Sequence, residues 1–139
     1  MTPTDPAIQE AIDFFIHAAL GRKARDMIML DIRGLSSVAD ILIFCSGRSN
    51  RQVSAIGEHI QQDLSLRGIR ALSVDGLKQG HWVLMDYGHV IIHIFHEPVR
   101  HFYNLESLWA DAKRVDLSYL LPADEPFAEA APTSEFIIE

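Results

Sequence analysis

Four of the seven histidines, His89, His93, His96 and His101, fall between positions 89 and 101. Histidine is the commonest metal ligand, so the cluster raises a metal site. It lacks established ligand spacing, with neither His-Glu-x-x-His nor paired cysteines. His93, between Ile92 and Ile94, equally fits a half-buried, hydrogen-bonded imidazole. A second candidate is Ser46-Gly47-Arg48-Ser49, a Gly-containing loop between an apolar run and an amphipathic stretch. Strand, loop and helix N-terminus together can hold an anion. Asp31, Asp40 and Asp86 would then be the metal-holding carboxylates of a nucleotidyltransferase-like enzyme. Against this, one glycine makes no phosphate cradle, Ser49 is explained as a helix cap, and aspartate is favoured at strand ends and turns anyway. No Gly-x-Ser-x-Gly nucleophile elbow is present. The residues favour no catalytic site, no metal and no cofactor, with a nucleotide- or metal-dependent enzyme as the alternative.

Four aromatics, Trp82, Tyr87, Tyr103 and Trp109, offer recognition instead of catalysis. Gly80 to Phe95, GHWVLMDYGHVIIHIF, reads as a β-hairpin. Strand alternation sets Val83, Met85 and Tyr87 on one face and Trp82, Leu84 and Asp86 on the other. Asp86-Tyr87-Gly88-His89 supplies the turn. A turn position implies an exposed Tyr87. Exposed aromatics at a sheet end are candidates for a protein-binding hot spot.

The remaining elements must carry this hairpin. Asp5-Pro6 opens a helix whose apolar stripe is Ile8, Ile12, Phe15, Ile16 and Ala19, with Gly21 at its end. DMIMLDI (26–32) reads as a strand. ADILIFC (39–45) reads as an inner strand covered on both faces, because its apolar run does not alternate. Ser49-Asn50-Arg51-Gln52 is a capping box. It starts a helix with Val53, Ile56, Ile60 and Leu64 inward and Gly68 at its end. Residues 69–74 give a short third strand reached by a parallel crossover. Glu97-Pro98 starts a last helix with Phe102, Leu105, Leu108, Trp109 and Ala112 inward. The fold class is α/β: a mixed β-sheet of about five strands flanked by helices on both faces, nucleotidyltransferase-like in outline.

The chain of 139 residues suits one domain, residues 1–115, followed by an acidic, flexible tail, 116–139. The tail holds six acidic residues and no Lys or Arg, so it carries most of the net charge of −7. The remaining body has 12 basic against 13 acidic residues, which disfavours direct sequence-specific nucleic-acid binding. No apolar run is long enough for a membrane span, and the N-terminus lacks the pattern of a secretory signal. The single cysteine, Cys45, reads as a buried thiol in a reducing, cytoplasmic setting.

The series ADILIFCSGRSNRQVSAIGEHI, HWVLMDYGHVIIHIF and RHFYNLESLWADA resembles the Iojap-like ribosomal silencing factors (RsfS) from about Ile8 to about Ala112. The carrying residues are Asp40, Ser46-Gly47, Ser49, Gln52, Ile56, Trp82, Asp86-Tyr87-Gly88, His93, Arg100, Tyr103, Leu105-Glu106 and Leu108-Trp109. The resemblance implies a non-enzymatic protein that binds the large ribosomal subunit through its ribosomal protein fourteen. There it obstructs joining of the small subunit and so represses translation when nutrients are short. It also implies a homodimer when free. The expected partner-binding residues are Trp82, Leu84, Asp86 and Tyr87 on the hairpin, with Arg100 and Tyr103 beside it.

Overall fold

The computed structural model describes residues 6–117, and side chains from Ile12 onward. The expected Asp5 cap, Ile8 and the chain beyond Leu117, Phe136-Ile137-Ile138 included, lie outside the described residues. In chain order the elements are α1 (Pro6–Leu20), β1 (Arg25–Asp31), β2 (Ile41–Gly47), α2 (Asn50–Leu66), β3 (Ser73–Asp75), β4 (Trp82–Asp86), β5 (Val90–His96), α3 (Glu97–Tyr103), a 3-10 helix (Leu105–Trp109) and β6 (Lys113–Arg114). One mixed sheet of six strands runs β3-β4-β5-β2-β1-β6.

Every residue of β2 is buried, as a strand covered on both faces requires. Its partner β5 is parallel, from Ile41 opposite Val90 to Gly47 opposite His96, and all other pairings are antiparallel. The crossover through α2 leads to β3, which runs in the same direction as β2. However, β4 and β5 lie between them, so the pair is not adjacent.

Alternation sorts the sheet into two apolar layers. One contains Met27, Met29, Ile41, Ile43, Val83, Met85, Ile92 and Ile94 beneath α1 and α2. The other contains Ile28, Leu30, Leu42, Phe44, Ile91 and Phe95, with Val99 of α3 and Leu105 and Trp109 of the 3-10 helix against it. Ser49 caps α2 by accepting from the Gln52 amide at 3.1 Å. The reciprocal arm reaches one residue further than a capping box predicts: Gln52 Oε1 accepts from the Arg48 amide at 2.6 Å.

Three expectations change. The sheet has a sixth strand, β6, in which Lys113 lies opposite Asp31. The packed body also extends past residue 115, since Leu117 is 1% exposed within the α1/α2 layer. The last helix is not continuous. Asn104 takes a left-handed conformation (φ 47°, ψ 48°), which ends α3 and starts the 3-10 helix on a new axis. α3 docks through Val99 and Arg100 and the 3-10 helix through Leu105 and Trp109, so Phe102 and Leu108 point outward, 81% and 72% exposed.

Candidate partner-binding surface

The hairpin turn is closed by the Tyr87 amide donating to the Val90 carbonyl at 2.9 Å. Gly88 sits at φ +89°, open to glycine without steric cost. Asp86 belongs to the turn chemistry, because its Oδ1 accepts from the Gly88 amide at 2.8 Å. Trp82 and Leu84 stand half-buried on the less completely covered face.

Around Trp82 an aromatic group is assembled. Its ring lies 5.0 Å from Phe95 and 5.2 Å from Tyr103. The indole Nε1–H donates to His93 Nδ1 at 3.1 Å. His93 is stacked on Phe44, with centroids 4.9 Å apart and planes 11° from parallel. Burial pushes the His93 pKa down to about 4, against a smaller upward pull from Glu106. The ring is therefore a neutral acceptor at Nδ1. Tyr103, 54% exposed, meets Phe102 edge-on at 5.1 Å. Trp82, Tyr103, Phe102 and Leu108 thus supply apolar surface to solvent on one side of the molecule.

Two of the six expected contact residues are interior. Tyr87 is 7% exposed and packs edge-on against Phe15 of α1 at 4.9 Å. Its backbone is in the turn, yet alternation directs its side chain to the face of Val83 and Met85. Burial raises its phenol to about 12, and the hydroxyl has no hydrogen-bond partner among the described residues. Arg100 is 8% exposed. It grips Glu106 with two bonds, Nε to Oε1 at 3.2 Å and Nη2 to Oε2 at 2.9 Å. Its Nη1 donates to Ser46 Oγ at 2.7 Å and to the Asp26 carbonyl at 2.8 Å. Arg100 accordingly fastens the 3-10 helix to the ends of β1 and β2. Phe102 and Leu108 are the exposed residues that the continuous-helix reading hid.

The residues considered for catalysis are dispersed. Ser46 is buried beneath Arg100, and a Cβ on Gly47 would lie 2.9 Å from Val53 Cγ2, so close helix packing explains that glycine. Asp31 is paired with Arg33 at 2.7 Å, and that hydrogen-bonded guanidinium holds its pKa below the usual carboxylate range. His96 Nε2 lies 3.2 Å from the Arg48 carbonyl, away from His93. Among the described residues, no group of three or more His, Cys, Asp or Glu converges on a point. Cys45 is enclosed, and burial pushes its thiol up to about 12.

Comparison with known proteins identifies the lineage of this arrangement. The family model described as "Ribosomal silencing factor during starvation" matches residues 5–136. The chain belongs to the RsfS family. The ribosomal silencing factor RsfS of Bacillus subtilis is 41% identical over 98 residues, covering 70% of this chain and 83% of that one. The RsfS of Halalkalibacterium halodurans is 38% identical over 109 residues, covering 78% and 93%. The chloroplastic Iojap protein of Arabidopsis thaliana is 32% identical over 97 residues, 70% of this chain and 40% of that one. A crystal structure from Chromobacterium violaceum superposes with a TM-score of 0.72 at 34% identity, covering 86% of this chain and 97% of that one. The RsfS match continues to residue 136, beyond the Ala112 limit of the motif resemblance and into the acidic tail. The family is defined by a regulatory role in ribosome silencing and not by a reaction. No helix among the described residues is long and apolar enough to cross a membrane.

Proposed function

We propose that this protein binds the large ribosomal subunit through ribosomal protein fourteen and sterically blocks joining of the small subunit, repressing translation under nutrient limitation. RsfS membership supports the silencing role. The observation that carries a docking mechanism is the aromatic surface of Trp82 on β4 and of Phe102 and Tyr103 on α3, which packs against the sheet. Exposed aromatics supply large contact area at low entropic cost, which suits them to interface hot spots. Leu84 and Asp86 border this surface, and Asp86 has a second carboxylate oxygen to offer a basic partner side chain. Tyr87 and Arg100 act from within by fixing the hairpin and the 3-10 helix.

The mechanism needs no chemical step. A factor that binds the free large subunit and not the joined ribosome shifts the joining equilibrium by mass action. It works in the cytoplasm, where the subunits meet, and is a homodimer when free. Light scattering with size exclusion tests the dimer. Co-sedimentation with purified subunits, followed by a subunit-joining assay on sucrose gradients, tests the function. The expected result is selective binding to the large subunit and loss of joined ribosomes. Equal joining with and without saturating protein refutes the proposal.

A further inference from the structure

The charge of the folded body is segregated, although its sum is close to neutral. The carboxyl ends of β2 and β5 and the starts of β1 and β4 form one end of the sheet. Seven of the 12 basic residues gather there: Arg22, Lys23, Arg25, Arg48, Arg51 and Lys78, with Arg100 buried behind them. The carboxylates at that end are Asp26, Asp75, Glu97 and Glu106; Glu97 is engaged by Arg25 at 4.0 Å and Glu106 by Arg100 at 2.9 Å. Arg22, Lys23, Arg48 and Arg51 are exposed and have no ion-pair partner among the described residues.

Gln52 holds three of these four together and follows the fourth, Arg51, in the chain. Its Oε1 accepts from the Arg48 amide at 2.6 Å. Its Nε2 donates to the carbonyls of Arg22 and Lys23 at 3.3 and 3.2 Å. The loop leaving α1 is thereby tied to the loop entering α2, with Lys23 in the left-handed region at φ 63°. Folding does not account for the charges. Arg51 sits in the first turn of α2, which has no acidic residue there, and cations at a helix N-terminus oppose the helix dipole. Two of the amides at this helix start are occupied, Arg48 by Gln52 and Gln52 by Ser49, which leaves the side chains as the main source of attraction for an anion. The patch adjoins the aromatic surface, because Arg48 touches His96 at the end of β5 and Asn50 touches His81 beside Trp82.

We infer that Arg22, Lys23, Arg48 and Arg51 form a second contact surface, which grips the phosphate backbone of RNA next to the protein-docking surface. Phosphate is the partner that rewards clustered, unpaired, mobile cations with no shaped pocket, and it needs no base readout. This inference rests on the ribosome-binding reading, and the RNA is that of the large subunit.

The test uses the full chain and its Arg22→Gln/Arg48→Gln/Arg51→Gln variant, with purified large subunits over a series of salt concentrations. For every phosphate that the variant no longer neutralises, the plot of log affinity against log salt becomes shallower by roughly 0.7–0.9. The variant is expected to melt no lower than the parent and to bind at least about tenfold more weakly at low salt. Its slope should be shallower by about 2. A photo-crosslinking residue replacing Arg48 should attach to RNA. Equal slopes for parent and variant overturn the RNA contact and leave the ribosome reading standing. A crosslink to protein alone also overturns it, assigning the patch to an acidic protein surface. A parent chain that binds no large subunit overturns both readings.

Discussion

The indole of Trp82 donates to Nδ1 of His93, so the aromatic at the centre of the group is oriented by an imidazole that must stay unprotonated there. With its pKa lowered to about 4, His93 is neutral in the fold, whereas in the unfolded chain it takes up a proton below about 6.5. The unfolded state therefore binds more protons between those values, and stability falls as pH drops from about 6.5 to about 4. Summed over that window the loss is roughly 3 kcal/mol. Denaturant midpoints across this range check it. His93→Gln keeps an acceptor for Trp82 but does not titrate, so it should flatten this part of the profile.

Tyr87→Ala should destabilise the protein by about 3 kcal/mol or more, as for other buried aromatics, because it opens a cavity beside Phe15. Tyr87→Phe should stay within about 1 kcal/mol of the parent or gain stability, since the hydroxyl forms no bond among the described residues. Thermal unfolding of the two variants distinguishes a packing role from a contact role.

Tyr103 is the cleaner probe of the interface. Its ring is more than half exposed, so Tyr103→Ala should alter stability by no more than about 1 kcal/mol. At a hot spot the same change costs roughly 2 kcal/mol in binding, about thirtyfold in affinity. Unchanged binding to the large subunit would remove Tyr103 from the contact surface.

Arg100→Ala leaves Glu106 without its guanidinium and the Ser46 hydroxyl without its donor. Breaking a buried ion pair by removing one partner costs about 3–5 kcal/mol. Arg100→Lys should recover only part of this, because an ammonium cannot reproduce the two-pronged grip. Binding should fall together with stability in both variants, unlike Tyr103→Ala.

Truncation after Leu121 keeps the buried Leu117 and removes a segment rich in acid, alanine and proline. Such a composition offers little apolar surface with which to offset ordering entropy. Melting temperature and large-subunit binding should both be essentially unchanged. A clear drop in either would show that Phe136-Ile137-Ile138 docks on the body or on a neighbour.

Patterns that depend on the period of a regular element were legible in the sequence. The unbroken apolar run of β2, the stripe of α2 and the alternation of β4 all appear in the fold. Alternation even placed Tyr87 with Val83 and Met85; its turn position misled, because a turn exposes the backbone and not every side chain on it. What the sequence hid depends on single backbone conformations and on distant neighbours. One left-handed residue, Asn104, splits the last helix and changes the phase of Leu108 relative to Phe102, and no helical period announces it. Arg100 reads as a surface cation until Ser46, Asp26 and Glu106 are brought around it from three parts of the chain. The basic patch was invisible to a residue count because its members lie on separate loops. The edge strand β6 is too short to leave a pattern, and the third strand read at 69–74 pairs only over Ser73–Asp75.

The parallel pairing of β2 with β5 also sets a schedule for the nascent chain. Ile41 must wait for Val90, its partner 49 positions later (90 − 41). At a synthesis rate of about 5–20 residues per second that wait is roughly 2–10 s. During it β2 has only β1 as a strand partner, while α1 and α2, already made, can cover one of its faces. The antiparallel β1–β2 pairing, joined by the short connection from Ile32 to Asp40, can form at once and shield one edge. Its other edge stays open until the Trp82 hairpin emerges, so the same hairpin that carries Trp82 also closes the open edge of β2 during synthesis.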